Sequence, residues 1–228
     1  THGYALALTN ATTNTITKTC IWGPDNEENN KTFTDSYGTY TYSYYSGEYY
    51  ADFKAKRDGY CETQTIKNNY ALSSSYYPAF YYAINYGTSV ESGTTNYAAP
   101  SRSSGWFLPS IGQWHDIYAN LGGITSNPTT SAQGYCWRYG YSSECVNNIN
   151  AYLTAISTYS SNKGYGYETP DLFSNNNMSY IESDGKTITY PSEPYWSSSE
   201  YSSTHAGGAY FYSIGSLNLN NDDDKACW

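Results

Sequence analysis

Tyrosine constrains this chain more than any other residue: it fills 30 of the 228 positions and is joined by 6 tryptophans. A mean hydropathy of -0.69 would by itself lean toward disorder. Rings at 18% of the sequence argue the other way, because disordered chains are poor in aromatics. The chain therefore reads as a folded domain whose apolar surface comes from rings rather than aliphatic side chains. Charged residues make up only 14%, which leaves solvation to Ser, Thr, Asn, Gly and the tyrosine hydroxyls.

The formal net charge is -9. A protein that tracks a nucleic-acid backbone needs a cationic footprint to displace counterions, and no basic run occurs, so nucleic acid is excluded as a partner. The same balance disfavours an anionic membrane surface. No apolar run is long enough for a transmembrane segment and no signal peptide is apparent. The five cysteines contain no CxxC pair, which argues against a zinc knuckle. Cys136 and Cys145 flank a short loop that a disulfide would close, and Cys20 with Cys61 is a second candidate bridge. Cys227 is then left over. The alternative is that all five are reduced.

Along the chain, YALALTN alternates like a strand, and TYTYSYYSGEYYADF, within a polar region at 24–60, suits an edge strand or hairpin. YYPAFYYAINYG reads as a loop entering a short strand or helix at Pro78. Two helices are clearer. In SIGQWHDIYANLGG, Ser110 and Gln113 form a capping-box pattern and Gly122 supplies the stop, with Ile111, Trp114, Tyr118 and Leu121 on one face. In VNNINAYLTAIST, Val146, Ile149, Leu153 and Ile156 repeat that spacing. AYFYSI and SLNLN read as two strands around Gly215. Helices, short strands and long polar loops predict an α+β fold.

Catalytic signatures are sparse. No G-x-S-x-G, H-E-x-x-H, P-loop or G-x-G-x-x-G occurs. His115 and Asp116 are adjacent in a helix and do not face each other, so they read as a half-exposed helix face rather than a dyad. His205 sits in a Gly-rich loop, as a ligand contact or a plain exposed residue. A glycosidase needs two carboxylates, but Glu193, Glu200, Asp171 and Asp184 read as solvated loop acids. Asp222, Asp223 and Asp224 lack EF-hand spacing and read as a solvated turn, so no metal and no cofactor is expected.

The pair GWFLPSIGQW at 105–114 and YWSSSEYSS at 195–203 resembles bacterial C-type-lectin-fold domains related to the formylglycine-generating-enzyme group. Similar domains occur in surface and pilus-tip proteins of gut anaerobes and in variable proteins diversified by retroelements. The resemblance covers about residues 105–225; residues 1–104 would belong to the same single domain or elaborate it. It implies a C-type lectin fold: two amphipathic helices, short twisted antiparallel strands and long polar loops. It also implies a non-enzymatic, extracellular or surface-displayed binder of a protein or glycan receptor.

In the diversified members the variable positions lie on the last strands and loops. Carried over, these are Tyr201, Ser203, Thr204, His205, Gly207, Gly208, Tyr210, Tyr212, Ser216, Asn218, Asn220, Asp222, Asp223 and Asp224. Their residue types are reachable from asparagine codons by changing adenines. Calcium-dependent sugar binding does not carry over, because Glu193-Pro194 is followed by Tyr195 and no E-P-N or Q-P-D signature occurs. Nor does oxidase activity, for which the paired active-site cysteines are not found.

The same region stands out on physical grounds. Tyr, Ser, Gly and Asn give rigid amphipathic area and adaptable hydrogen bonds, as in antibody paratopes. On alternating positions Tyr210 and Tyr212 share a face, with Phe211 inward, while Trp106, Trp114 and Trp196 are assigned to the core. A carbohydrate-active enzyme or carbohydrate-binding module, and a structural pilin or stalk domain, are the competing readings.

Overall fold

The computed structural model describes residues 5–7, 11, 20–24, 32–35, 38–41, 58–86, 99, 101–125, 129–130, 136–140, 142–163, 170, 172–173, 178–181, 187–190, 192–200, 205–212 and 216–224. In chain order the elements are β1 (Thr32–Asp35), β2 (Gly38–Thr41), α1 (Gly59–Asn69), α2 (Pro78–Asn85) and α3 (Ile111–Asp116). Helix α3 continues as a π-helical turn, Ile117–Leu121. Then come β3 (Thr129–Thr130), β4 (Cys136–Gly140), α4 (Ser142–Asn162), β5 (Met178–Ile181), β6 (Thr187–Tyr190), β7 (Ser192–Glu200), β8 (His205–Tyr212) and β9 (Ser216–Asp224). The class is α+β. The main sheet is antiparallel with strand order β3-β4-β9-β8-β7, and β1–β2 and β5–β6 are separate two-stranded ladders.

Local chemistry explains most of these elements. Ser110 Oγ accepts from the Gln113 backbone N–H while Gln113 Oε1 accepts from the Ser110 backbone N–H, so the expected capping box starts α3. At the other end the Gly122 backbone N–H bonds to the Ile117 carbonyl and Gly123 takes a left-handed φ of 74°, which closes the turn. Pro78 occupies the first turn of α2, where a missing N–H costs nothing, and settles that segment as a helix. Helix α1 was not read from the sequence; Asp58 caps it by accepting from the Cys61 backbone N–H at 2.9 Å. The strands expected at AYFYSI and SLNLN are β8 and β9, paired antiparallel. TYTYSYYSGEYYADF contributes the end of β2; its remainder lies outside the described residues, as does most of YALALTN, whose residues 5–7 are not in a strand.

Two hydrophobic clusters hold the fold. The first joins Ile111, Trp114 and Tyr118 of α3 and its extension to Cys145, Val146, Ile149 and Leu153 of α4, Phe173, and Ala209 and Phe211 of β8. The second joins Trp22, Ile66 of α1, Tyr77, Ala79 and Phe80 of α2, Trp196 of β7 and Ala206. Tyr195 packs its ring on Phe211, and its register partner is Ala209, so that row faces the first cluster. Trp196, opposite Gly208, takes the alternate position and faces the second. Strands β7 and β8 are therefore covered on both faces.

Four expectations change here. Cys20 and Cys145 are not in disulfides, so neither of the two expected bridges forms. Cys145 instead points into the first cluster, against Gly122. Ile156 leaves the buried face of α4 and is 54% exposed; Ser157, four residues after Leu153, takes the inward position instead. His115 is buried rather than half exposed. Asp222, Asp223 and Asp224 form the end of β9 instead of a turn, with Asp223 opposite Ala206 and Asp224 opposite His205.

Candidate functional site

The two segments that carry the resemblance meet in space, which sequence spacing alone does not reveal. The Ile111 backbone N–H donates to Ser199 Oγ at 3.1 Å, the Ser198 backbone N–H donates to the Pro109 carbonyl at 2.9 Å, and Trp114 Nε1 donates to the Trp196 carbonyl at 3.1 Å. The Trp-Ser-Ser-Ser run thus receives the N-terminus of α3 directly. It also holds the amino-terminal segment: Trp22 Nε1 donates to the Ser197 carbonyl at 2.7 Å, and Trp196 Nε1 donates to the Cys20 carbonyl at 2.8 Å. These reciprocal indole bonds place residues 20–22 against β7. Trp114 and Trp196 are buried as expected, whereas Trp106 is half-buried, edge-on to Tyr86.

Glu62 completes this junction. It is fully buried in the first turn of α1, accepts from Ser198 Oγ, and accepts from Ser199 Oγ at 3.2 Å. The adjacent Thr63 Oγ1 accepts from the Leu108 backbone N–H at 3.2 Å, and Gln113 Oε1 accepts from the Gly59 backbone N–H at 3.2 Å. The amino ends of α1 and α3 are thus tied through one glutamine. Each contributes a positive helix end that favours a carboxylate nearby. Sequence reasoning missed Glu62; its signal was the position of an acid in the first turn after a capping aspartate. A carboxylate beside serine hydroxyls is chemistry that can activate a nucleophile. Here Glu62, Ser198 and Ser199 are all at most 1% exposed, so the cluster braces the scaffold rather than meeting a ligand.

The fourteen expected contact residues divide by environment. Gly207, Gly208 and Tyr210 are buried, with Tyr210 only 5% exposed. Tyr210 is therefore not displayed outward, a correction that goes with the position of β8 between β7 and β9. Its carbonyl also accepts from the Tyr118 hydroxyl at 3.3 Å. Phe211 is fully buried, as expected. His205 is half-buried at the start of β8 rather than in a loop. Tyr201, Ser203 and Thr204 lie outside the described residues.

The remainder fall on the strands. Tyr212 ends β8 opposite Ser192, and Ser216, Asn218, Asn220, Asp222, Asp223 and Asp224 are in β9. Register sets Asn218 between Tyr210 and Arg138, and Asn220 between Gly208 and Cys136. Leu217 and Leu219 take the alternate positions, opposite Phe211 and Ala209 of the core row. Among the carboxylates weighed from sequence, Glu200 is buried at 2% exposure instead of solvated. Asp171 and Asp184 lie outside the described residues, and Glu193 pairs with Phe211 in β7. Among the described residues no cluster of His, Cys, Asp and Glu has metal-holding geometry, and no helix is long and apolar enough to cross a membrane.

No family profile, curated protein or solved structure matches this chain.

Proposed function

We propose that this chain is a surface-displayed binding module of the C-type lectin fold that recognises a protein or glycan through the carboxyl-terminal side of its main sheet. The observation that carries the reading is the alternation along β9. Leu217 and Leu219 occupy the row of the buried Ala209 and Phe211, while Ser216, Asn218 and Asn220 occupy the opposite row. A strand patterned this way anchors on one face and offers short, adaptable hydrogen-bonding groups on the other.

The interlock of the 105–114 and 195–200 segments supports the resemblance from which the lectin-fold reading came, since the two runs act as one brace. Rigidity behind the recognition row lowers the entropy cost of binding. Because Tyr210 is buried, the proposed contact surface moves from β8 toward β9 and β4, and Tyr212 at the end of β8 remains within it. The Asn and Ser positions keep the codon character of retroelement-diversified sites. Glycan and surface-protein arrays probed with the intact chain test the reading. Saturable retention of a restricted ligand set supports it; absence of any retained ligand, with turnover of a glycan probe instead, contradicts it.

A further inference from the structure

The register of the main sheet extends the two rows of β8 and β9 onto β4. Phe211, Leu217 and Tyr139 stand opposite one another across the three strands, as do Ala209, Leu219 and Trp137. Opposite residues on neighbouring strands share a face, so Trp137 and Tyr139 continue the core row. Cys136, Arg138 and Gly140 take the alternate positions and continue the row of Asn220, Asn218 and Ser216. Thr129, opposite Arg138 on its other side, carries that row onto β3. Among the described strands of the main sheet Arg138 is the one lysine or arginine. Opposite charges across a ladder stabilise a sheet, yet the positions facing Arg138, Asn218 and Thr129, and the diagonal ones on β9, Asn220 and Ser216, carry no carboxylate. The acids of β9 begin past Asn220, the last position in register with β4.

We propose that Arg138 anchors a carboxylate of the ligand, and that the ligand is a glycan ending in an acidic sugar. The inference rests on the recognition row proposed above and names what that row selects. A guanidinium forks onto a carboxylate through two parallel hydrogen bonds, which fixes orientation as well as charge. The amides of Asn218 and Asn220 and the hydroxyls of Ser216 and Thr129 both donate and accept, as sugar hydroxyls require. A peptide partner would call for apolar anchors in the same row. On β4 and β9 the aromatic residues and leucines, Trp137, Tyr139, Leu217 and Leu219, all take core-row positions instead. A single arginine matches a single anionic group, and a chain with 11 lysines and arginines against 20 acids repels a polyanion. One acidic sugar on an otherwise neutral glycan meets both conditions.

An array of glycans ending in a uronic or sialic acid tests this, with each glycan printed beside its carboxyl-reduced alcohol and with neutral glycans and surface proteins alongside. The intact chain is expected to hold acidic members at least about tenfold more tightly than their reduced partners. Arg138→Gln, with an unchanged near-ultraviolet circular dichroism spectrum, is expected to bring the acidic members down to the level of the reduced ones and to leave the reduced ones unchanged. The comparison of the two glycan forms uses the unaltered protein, so it decides the matter even where the variant fails to fold. Equal retention of both forms overturns the proposal, as does a preference for the acid that survives in folded Arg138→Gln. Neutral glycans or surface proteins retained through Asn218, and released by Asn218→Ala, would leave the recognition row standing without its carboxylate. An array that retains nothing removes both.

Discussion

The buried carboxylate of Glu62 accepts a hydrogen bond from Ser198 Oγ, joining helix α1 to strand β7 across a separation of 136 residues. The bond makes α1 part of the same scaffold as the carboxyl-terminal sheet. Removing either partner is costly for different reasons. Glu62→Ala opens a cavity and leaves two serine hydroxyls without their acceptor, with an expected loss of about 3–4 kcal/mol. Ser198→Ala leaves a buried carboxylate short of a donor, at about 2 kcal/mol. Glu62→Gln, which keeps shape and one acceptor, should fall between the wild type and Glu62→Ala. Urea unfolding of the three variants measures the order.

Much of the scaffold was legible because its signals are local. Ser110 and Gln113 announced the start of α3 three residues apart, and the alternation of AYFYSI and SLNLN gave β8 and β9. What escaped depends on which neighbours arrive from far away. Tyr210 alternates like an exposed strand residue, yet β8 lies between β7 and β9 and the residue is buried. Ile156 keeps helical period with Leu153, but the inward position on that turn falls to Ser157. The spacing of Cys136 and Cys145 suited a loop-closing bridge, whereas the Cys145 thiol is drawn into the core as a small apolar group. Periodicity gives the face of an element, and only the fold says how far the core extends along it.

Gly122 ends the π-helical turn against α4, its carbonyl accepting from Asn148 Nδ2 at 3.0 Å. A Cβ there would stand 2.1 Å from Cys145 Sγ and 2.6 Å from the Tyr118 carbonyl oxygen, and the backbone atom cannot yield cheaply. Gly122→Ala is expected to destabilise the protein by about 2–3 kcal/mol. Cys145→Ala in the same chain relieves only the thiol clash, so the double variant should recover part of that loss and not all of it. Thermal unfolding of the two single variants and the double variant measures the coupling.

Burial, and secondarily the neighbouring Glu144, pushes the Cys145 thiol from its ordinary 9.0 up to about 12. Burial alone moves Cys20 in the same direction, also to about 12. The folded state therefore holds these protons where the unfolded chain has released them. Their contribution to stability is fully present below pH 9 and is lost as pH rises from 9 toward 12. Cys145→Ala should flatten this alkaline decline in a series of urea unfolding midpoints. In the native protein at pH 8, Cys145 should resist a thiol-modifying disulfide reagent and react only on unfolding, as mass mapping of the labelled peptide would show.

Recognition as proposed requires β9 to offer its polar row while its leucines anchor it. Quantitative binding of the intact chain to its array-selected ligand, compared with that of an Asn218→Ala/Asn220→Ala variant of unchanged near-ultraviolet circular dichroism, addresses that claim most directly. A dissociation constant weakened at least about tenfold is the result expected. An undiminished affinity in the folded variant would contradict it.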